Sequence, residues 1–431
     1  MNMRPFQIVV IAVFVVLALG GLLLFATYKG VGGSKPVGDV IIWGTLPEGA
    51  VSVAIDDLKQ SHQEFGKVTY VERDAATFDA SLVDALASGT GPDLIITDSE
   101  RLFSEENKLN IIPFATLPER TFRDSYLPLF SVFQTTGGVY GIPLAVDPLV
   151  LYYNRTTLAS ANISQPPQTW EGVVGSAPRL TVKTNAGVIA KSAIPFGTYE
   201  NIPHARAIIS LILLQSGVGM NDTSSGSLRT SLTSGGDTFN ISPGESAISF
   251  YTQFADPAKV VYTWNRSKVD GRQSFLAGDS AFYVGFASEH ALLTDANPNL
   301  DFDMALIPQP ETSQVKTDYA IGYAFAFPKG AHNPAGAYRV AVALAAKDKA
   351  PLIVQKLSMA PAMRSLMAAP SGDLYAPIIY PLALISKSWL SPAPAVTDRI
   401  FAGMINDIVS GRSSVREALV TADESLTAAL Q

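Results

Sequence analysis

The stretch Gly137-Gly-Val-Tyr-Gly-Ile-Pro-Leu-Ala-Val-Asp-Pro-Leu-Val-Leu-Tyr-Tyr-Asn154 constrains this chain more than any other. Its paired glycines give a tight turn, followed by a short strand and a second extended run from Leu149 to Tyr153. Between the runs stand Asp147 and Pro148, one ionisable residue and one rigid one in an otherwise apolar segment. A chain that leaves one compact body and enters another needs such an extended crossing, and ligand chemistry is expected on both sides of it. With 431 residues, 47% of them apolar, there is enough core-forming material for at least two lobes.

The first thirty residues stand apart. From Ile8 to Ala26 the chain carries no charged or polar side chain, with Arg4 before the run and Lys29 after it. A helix of that length matches the hydrocarbon core of a bilayer, whereas a cleaved signal has a shorter apolar region. The expectation is an uncleaved transmembrane anchor over residues 1–29, with a cleaved signal as the alternative, and a glycine-rich tether over 30–38. The net charge of −7, without basic blocks, speaks against a nucleic-acid partner. The chain has no cysteine, which removes disulfides, thiolate metal sites, cysteine nucleophiles and lipid attachment through sulfur. His62, His204, His290 and His332 lie far apart without metal-ligand spacing and read as satisfied surface or core residues. No cofactor is expected.

Strand and helix periods alternate from the start: a strand at Val40–Trp43, a helix over Ala50–Phe65, a strand at Lys67–Val71, a helix over Phe78–Ala87 and a buried strand at Leu94–Ile96. The fold class implied is α/β, a parallel sheet with helices on both faces, and ligands in such sheets bind beyond the carboxyl ends of the strands. Trp43, Gly44 and Thr45 occupy one such end, and Asp98, Glu100 and Arg101 another. After the crossing, Thr169 reads as a helix cap, and Ala205–Ser216, Glu245–Phe254, Asp270–Ala277 and Asn333–Ala346 read as helices. Strands are expected from Gly278-Asp-Ser-Ala-Phe-Tyr-Val-Gly285, at Phe302–Pro308 and at Tyr319–Phe327. Val396–Leu430 is helical with a break at Ser410-Gly411, and Ser224–Gly244 reads as a loop insertion. No nucleophile elbow, zinc-protease motif, P-loop or dinucleotide fingerprint is present.

With these segments placed, several stretches match a known pattern in order. They are Val40-Ile-Ile-Trp-Gly44, Ala87-Ser-Gly-Thr-Gly-Pro-Asp-Leu-Ile-Ile96, Tyr140–Asp147 followed by Leu151-Tyr-Tyr-Asn-Arg155, and Pro167-Gln-Thr-Trp170. Further along come Phe275-Leu-Ala-Gly-Asp-Ser-Ala-Phe282, the stretch Gly322–Pro334, and Ser410–Leu419. Together they cover residues 38 to 431, and the ordered set resembles the extracellular solute-binding proteins of ABC importers, the family that includes the maltodextrin- and other sugar-binding proteins. The resemblance implies a two-lobe, type II periplasmic-binding fold with three crossings and an interlobe cleft. It divides the chain into a first lobe of 39–146 and 304–328 and a second of 149–303 and 329–431.

The resemblance also implies which residues line the cleft: Trp43, Gly44, Thr45, Asp98, Glu100, Arg101 and Asp147 from the segments above, Tyr199 as a stacking aromatic, Phe286 in the loop Gly285–Ser288, and Trp389. For each aromatic, core packing is the competing role. Two departures weigh against a long glucan: Ala287 stands where the family carries a tryptophan, and Thr97 where maltodextrin binders carry another. The expected function is therefore a monomeric receptor outside the cell membrane, held by the Ile8–Ala26 helix, or periplasmic or secreted if that helix is cleaved. It would capture a small polar solute, a sugar first, by hinge closure and deliver it to the transmembrane subunits of an ABC permease. The alternatives are a non-sugar ligand (a peptide, polyamine, amino acid or phosphorylated compound), an anchored envelope enzyme acting on glycans through a carboxylate pair, and a sensory subunit. Anionic residues at the expected cleft speak against a multiply charged anion.

Overall fold

The computed structural model describes residues 35–224, 226–236, 240–367 and 374–431. The apolar run Ile8–Ala26 lies outside them; among the described residues no helix is long and apolar enough to cross a membrane.

The first lobe is built as its periods dictate. Strand β1 (Val40–Gly44) leads through helix α1 (Glu48–Ser61) to β2 (Val68–Glu72), and helix α2 (Phe78–Ala87) leads to β3 (Leu94–Asp98). All five residues of β3 are buried, as expected of a parallel strand covered on both faces. β1 lies between the other two, pairing parallel with β2 from Val40↔Val68 and with β3 from Ile42↔Leu94.

The crossing stretch forms a single strand, β4 (Gly141–Asn154), of 14 residues. The sequence reading divided it into two runs around Asp147-Pro148. The structure carries it straight through, because Pro148 has only a carbonyl to offer and that carbonyl accepts from the Ala287 N–H at 3.0 Å. What changes at this point is the partner strand. Residues 141–148 pair antiparallel with β7 (Asp318–Pro328), while 149–153 pair with β5 (Phe282–Phe286) and 151–154 pair with β6 (Phe302–Ala305). β7 in turn pairs with β3, from Tyr323↔Asp98 to Ala326↔Ile95. The sheet order is thus β5-β4-β7-β3-β1-β2. A third connection, β8 (Ser386–Lys387), runs parallel to the start of β7.

The second lobe surrounds helices α3 (Ala205–Gln215), α4 (Pro243–Thr252), α5 (Glu289–Ala296), α8 (Pro394–Val409) and α9 (Val415–Ala429). Helix α3 is buried along nearly its whole length. The expected cap at Thr169 is in place; Asp270 and Asn333 likewise each accept a backbone N–H of the first turn that follows, and Ser414 with Glu417 closes a capping box.

One assignment is corrected. Residues 329–431 were expected in the second lobe, but α6 (Pro334–Leu344) and α7 (Ala350–Lys356) pack on α1 of the first. The physical tie is Asp93, whose carboxylate accepts the N–H groups of Ile41 at 3.0 Å and Asn333 at 2.7 Å, fixing the start of α6 to β1. Likewise β6, given in part to the first lobe, pairs with the second-lobe end of β4.

Candidate functional site: the cleft between the lobes

A cavity of about 630 Å³ opens where β4 and β7 cross between the lobes. Its wall is made by Glu100 from the turn after β3, Asp147 from β4, and Ile321 and Tyr323 from β7. The second lobe adds Tyr199, His204, Arg206, Arg272, Phe286, Ser288, Glu289 and Asp398. A wider groove of about 800 Å³ lies on the second lobe between α4 and the junction of α8 and α9. The interlobe cavity is the candidate site, because it alone of the two gathers charged side chains from both lobes.

Two charged networks line it. In the first, the Arg206 guanidinium sits in the opening turn of α3 and spans the lobes. It donates to Glu100 through Nη2 at 2.6 Å and Nε at 3.3 Å, and to Asp398 through Nη1 at 2.6 Å. The Tyr319 hydroxyl donates to Glu100 at 2.6 Å, and that of Tyr199 to Asp398 at 2.6 Å. Burial opposes the charge on Glu100, but Arg206 and Tyr319 outweigh it and hold the carboxyl below its ordinary range.

The second network centres on Glu289, at the start of α5. It is ion-paired with Arg272 and with His204, whose Nε2 lies 3.0 Å away, and it accepts from the Tyr283 hydroxyl and the Phe286 N–H. Against burial, His204, Arg272 and Tyr283 hold this carboxyl low as well. Gly285 makes room for it: a Cβ there would stand 2.2 Å from Glu289 Oε2. His204 takes a left-handed φ of 57°, uncommon for a residue other than glycine.

Asp147 is different. It is 2% exposed, and among the described residues Ser288 alone donates to it, through N at 3.1 Å and Oγ at 2.6 Å. Burial dominates, and its pKa is pushed up to about 7.

Of the residues expected at the cleft, Glu100, Asp147, Tyr199 and Phe286 come together on the cavity wall. The others serve the framework. Asp98 accepts the N–H groups of Glu100 and Arg101 at 3.0 Å each, shaping the turn that presents Glu100. Arg101 pairs with Asp98 and Asp79. Trp43 is buried with the Arg73 guanidinium 3.7 Å from its ring centroid. Gly44 sits against Tyr70, and Thr45 is half-buried in the bend after β1. Trp389 is core: its Nε1–H donates to Ser210 at 3.0 Å and its ring packs near Phe401.

Arg206, His204, Arg272, Glu289 and Asp398 were missed. Arg206 did leave a signal, since a lone cation in the first turn of an otherwise apolar helix opposes the helix dipole and needs another reason to be there. Among the described residues no group of three or more metal-ligating side chains is disposed to hold an ion.

Two lobes, an α/β sheet with strands passing between them and a polar cavity at the crossing define a two-lobe periplasmic-binding-protein-like fold. The chain belongs to the bacterial extracellular solute-binding proteins, whose family model matches residues 45–351. It is accordingly a binding protein and not an enzyme. Solved structures share the fold. A solute-binding protein of an ABC transporter from Thermotoga lettingae, bound with α-D-tagatose, is 20% identical with a TM-score of 0.69, covering 92% of this chain and 100% of that one. The cyclic maltosyl-maltose-binding protein of Arthrobacter globiformis is 16% identical with a TM-score of 0.73, covering 91% and 98%. A maltose/maltodextrin-binding domain from Bdellovibrio bacteriovorus, bound to maltotriose, is 15% identical with a TM-score of 0.67, covering 90% and 98%. No curated protein matches the chain by sequence.

Proposed function

We propose that this chain is the extracytoplasmic receptor of an ABC importer, that it captures a small sugar in the interlobe cavity, and that it passes the sugar to the permease. The observation that carries the reading is the cavity itself, whose carboxylates and aromatic rings come from both lobes. A ligand that touches both lobes favours the closed arrangement over the open one by its differential contacts alone. Glu100 and Glu289, held below the ordinary carboxyl range, and beside them Asp398 offer acceptors for hydroxyl groups, and charge-assisted hydrogen bonds are the stronger ones. Tyr199 and Phe286 offer apolar faces to ring carbons. That fold neighbours were solved with a ketohexose and with maltotriose supports the same ligand class here. In this reading the protein works as a monomer held at the membrane by Ile8–Ala26.

The test is a thermal-shift and calorimetric screen of the full-length chain in detergent against mono- and oligosaccharides, amino acids, peptides and polyamines. Stabilisation grows as RT ln(1 + [L]/Kd), so a ligand at a thousandfold excess over Kd adds about 4 kcal/mol. A response confined to amino acids, peptides or polyamines would sink the sugar reading.

A further inference from the structure

Five carboxylates line the cavity: Glu100, Asp147, Glu200, Glu289 and Asp398. Against them stand two guanidiniums, and both are already engaged. Arg206 is shared by Glu100 and Asp398, and Arg272 is held by Glu289, which His204 also faces. Glu200 is bonded by the Asn406 side-chain amide. Asp147 alone among these five has neither a cation nor a side-chain amide against it among the described residues. Its one partner, Ser288, contributes two neutral donors.

The surroundings of Asp147 sharpen the imbalance. Glu289 and Asp318 are acidic neighbours whose charge acts on it or feels it, Tyr152 and Tyr323 add phenolic oxygens, and His204 acts on it from the basic side. His204 is itself turned to Glu289. A buried carboxylate without a counter-ion is costly, and that cost falls sharply when a cation arrives from outside. The position is also apt: Asp147 lies where β4 exchanges first-lobe for second-lobe partners, so a ligand group bound there sits on the hinge.

On the reading of the cavity as a sugar site, we propose that the preferred ligand is an amino sugar, a polyhydroxylated ring bearing a protonated amine, with Asp147 as the counter-ion of that amine. The hydroxyls then fall to the two networks whose carboxylates stay ionised. An anionic sugar, acidic or phosphorylated, is disfavoured, because no arginine is left to receive it.

The experiment is isothermal titration calorimetry on the full-length chain with glucose, glucosamine and N-acetylglucosamine, and with the matching galacto and manno triplets. In at least one triplet the free amine should bind tenfold or more tighter than both its neutral counterparts. Binding should release protons, read from the dependence of the apparent enthalpy on buffer ionisation, because the amine displaces the proton that Asp147 partly holds at neutral pH. Affinity for the amine should fall roughly tenfold from pH 7.5 to 5.5, as Asp147 takes up that proton. In Asp147→Asn the preference for the amine over its N-acetyl counterpart should vanish, and with it the proton release. Equal affinity for amine and neutral sugar, without proton release, overturns the proposal and leaves the sugar receptor standing. Failure of all nine to bind overturns the proposal, and the sugar reading falls with it when the oligosaccharides of the wider screen fail as well.

Discussion

Two buried carboxyls carry their chemistry in their surroundings rather than in their residue type. Asp147, pushed up to about 7 from an ordinary 3.8, holds a proton in the folded protein that it loses in the unfolded chain between those two values. The native state therefore binds more protons across that window, and this residue lowers stability progressively as the pH rises from about 4 to 7, the full cost being present above 7. A gap of some three pH units corresponds to at most about 4 kcal/mol. Asp147→Asn removes the titration, so the stability of the variant relative to wild type should be higher at pH 8 than at pH 4.5. Urea denaturation at the two values checks it, and a difference independent of pH would contradict the assignment. Glu105 is the second case. Burial, with the nearby charges of Asp98 and Asp79, raises its pKa to about 8 against the opposing hydrogen bond from Thr97, so the neutral form predominates at pH 6.5. Glu105→Gln copies that neutral form and should cost less than about 1 kcal/mol at pH 6.5, whereas Glu105→Ala, which opens a cavity and strands Thr97, should cost about 2–3. Equal losses in the two variants would show that Glu105 is charged.

At the scale of elements, hydrophobic period was enough to place most strands and helices, and Gly91-Pro-Asp93 was legible as part of a family signature without a physical reason. The structure supplies one. Asp93 holds the N–H of Ile41 in β1 and of Asn333 ahead of α6, while Asn333 returns its side-chain amide to the carbonyls of Val37 and Asp39. Period could not show this, because it says which face of α6 is apolar but not which lobe receives it, and so 329–431 was assigned to the wrong side in part. Asp93→Ala leaves two part-buried N–H groups without their acceptor and should destabilise the protein by about 1–3 kcal/mol in urea, with ligand affinity unchanged. A loss of affinity equal to the loss of stability would place the residue's role in the cleft. The same limit explains the aromatics. Trp43 and Trp389 sit at segment ends where ligand stacking and core packing look alike in sequence, and burial decided for the core in both. Glu100, Asp147, Tyr199 and Phe286 were legible because segment order located them. Their cationic partners were not, since an ion pair between residues 100 and 206 has no local signature.

For the whole molecule, that ion pair matters most. Glu100 rides on the turn after β3 in the first lobe; Arg206 is anchored in the second by Asp398 and by the Pro394 carbonyl at 3.2 Å. The cleft is thus bridged by the chain itself, through a guanidinium that meets its carboxylate with two nitrogens. Desolvating such a pair offsets much of its attraction, so the net contribution to closure is modest; without the Glu100 charge, however, Arg206 keeps only its partners in the second lobe and the charged tie across the cleft is gone. Glu100→Gln should therefore shift the unliganded protein toward the open arrangement. A coupling of 1–3 kcal/mol changes the ratio of closed to open by about 5–150-fold. Arg206→Lys keeps the charge but loses the fork that serves two carboxylates at once, and should open the protein as well, though less. Small-angle scattering of wild type and both variants without ligand would show a larger radius of gyration in the order wild type, Arg206→Lys, Glu100→Gln. Raised salt should move the variants little, because the pair that sets the difference is shielded from solvent. Identical scattering from all three would mean that packing around β4 and β7, rather than the pair across the cleft, sets how far the lobes stand apart.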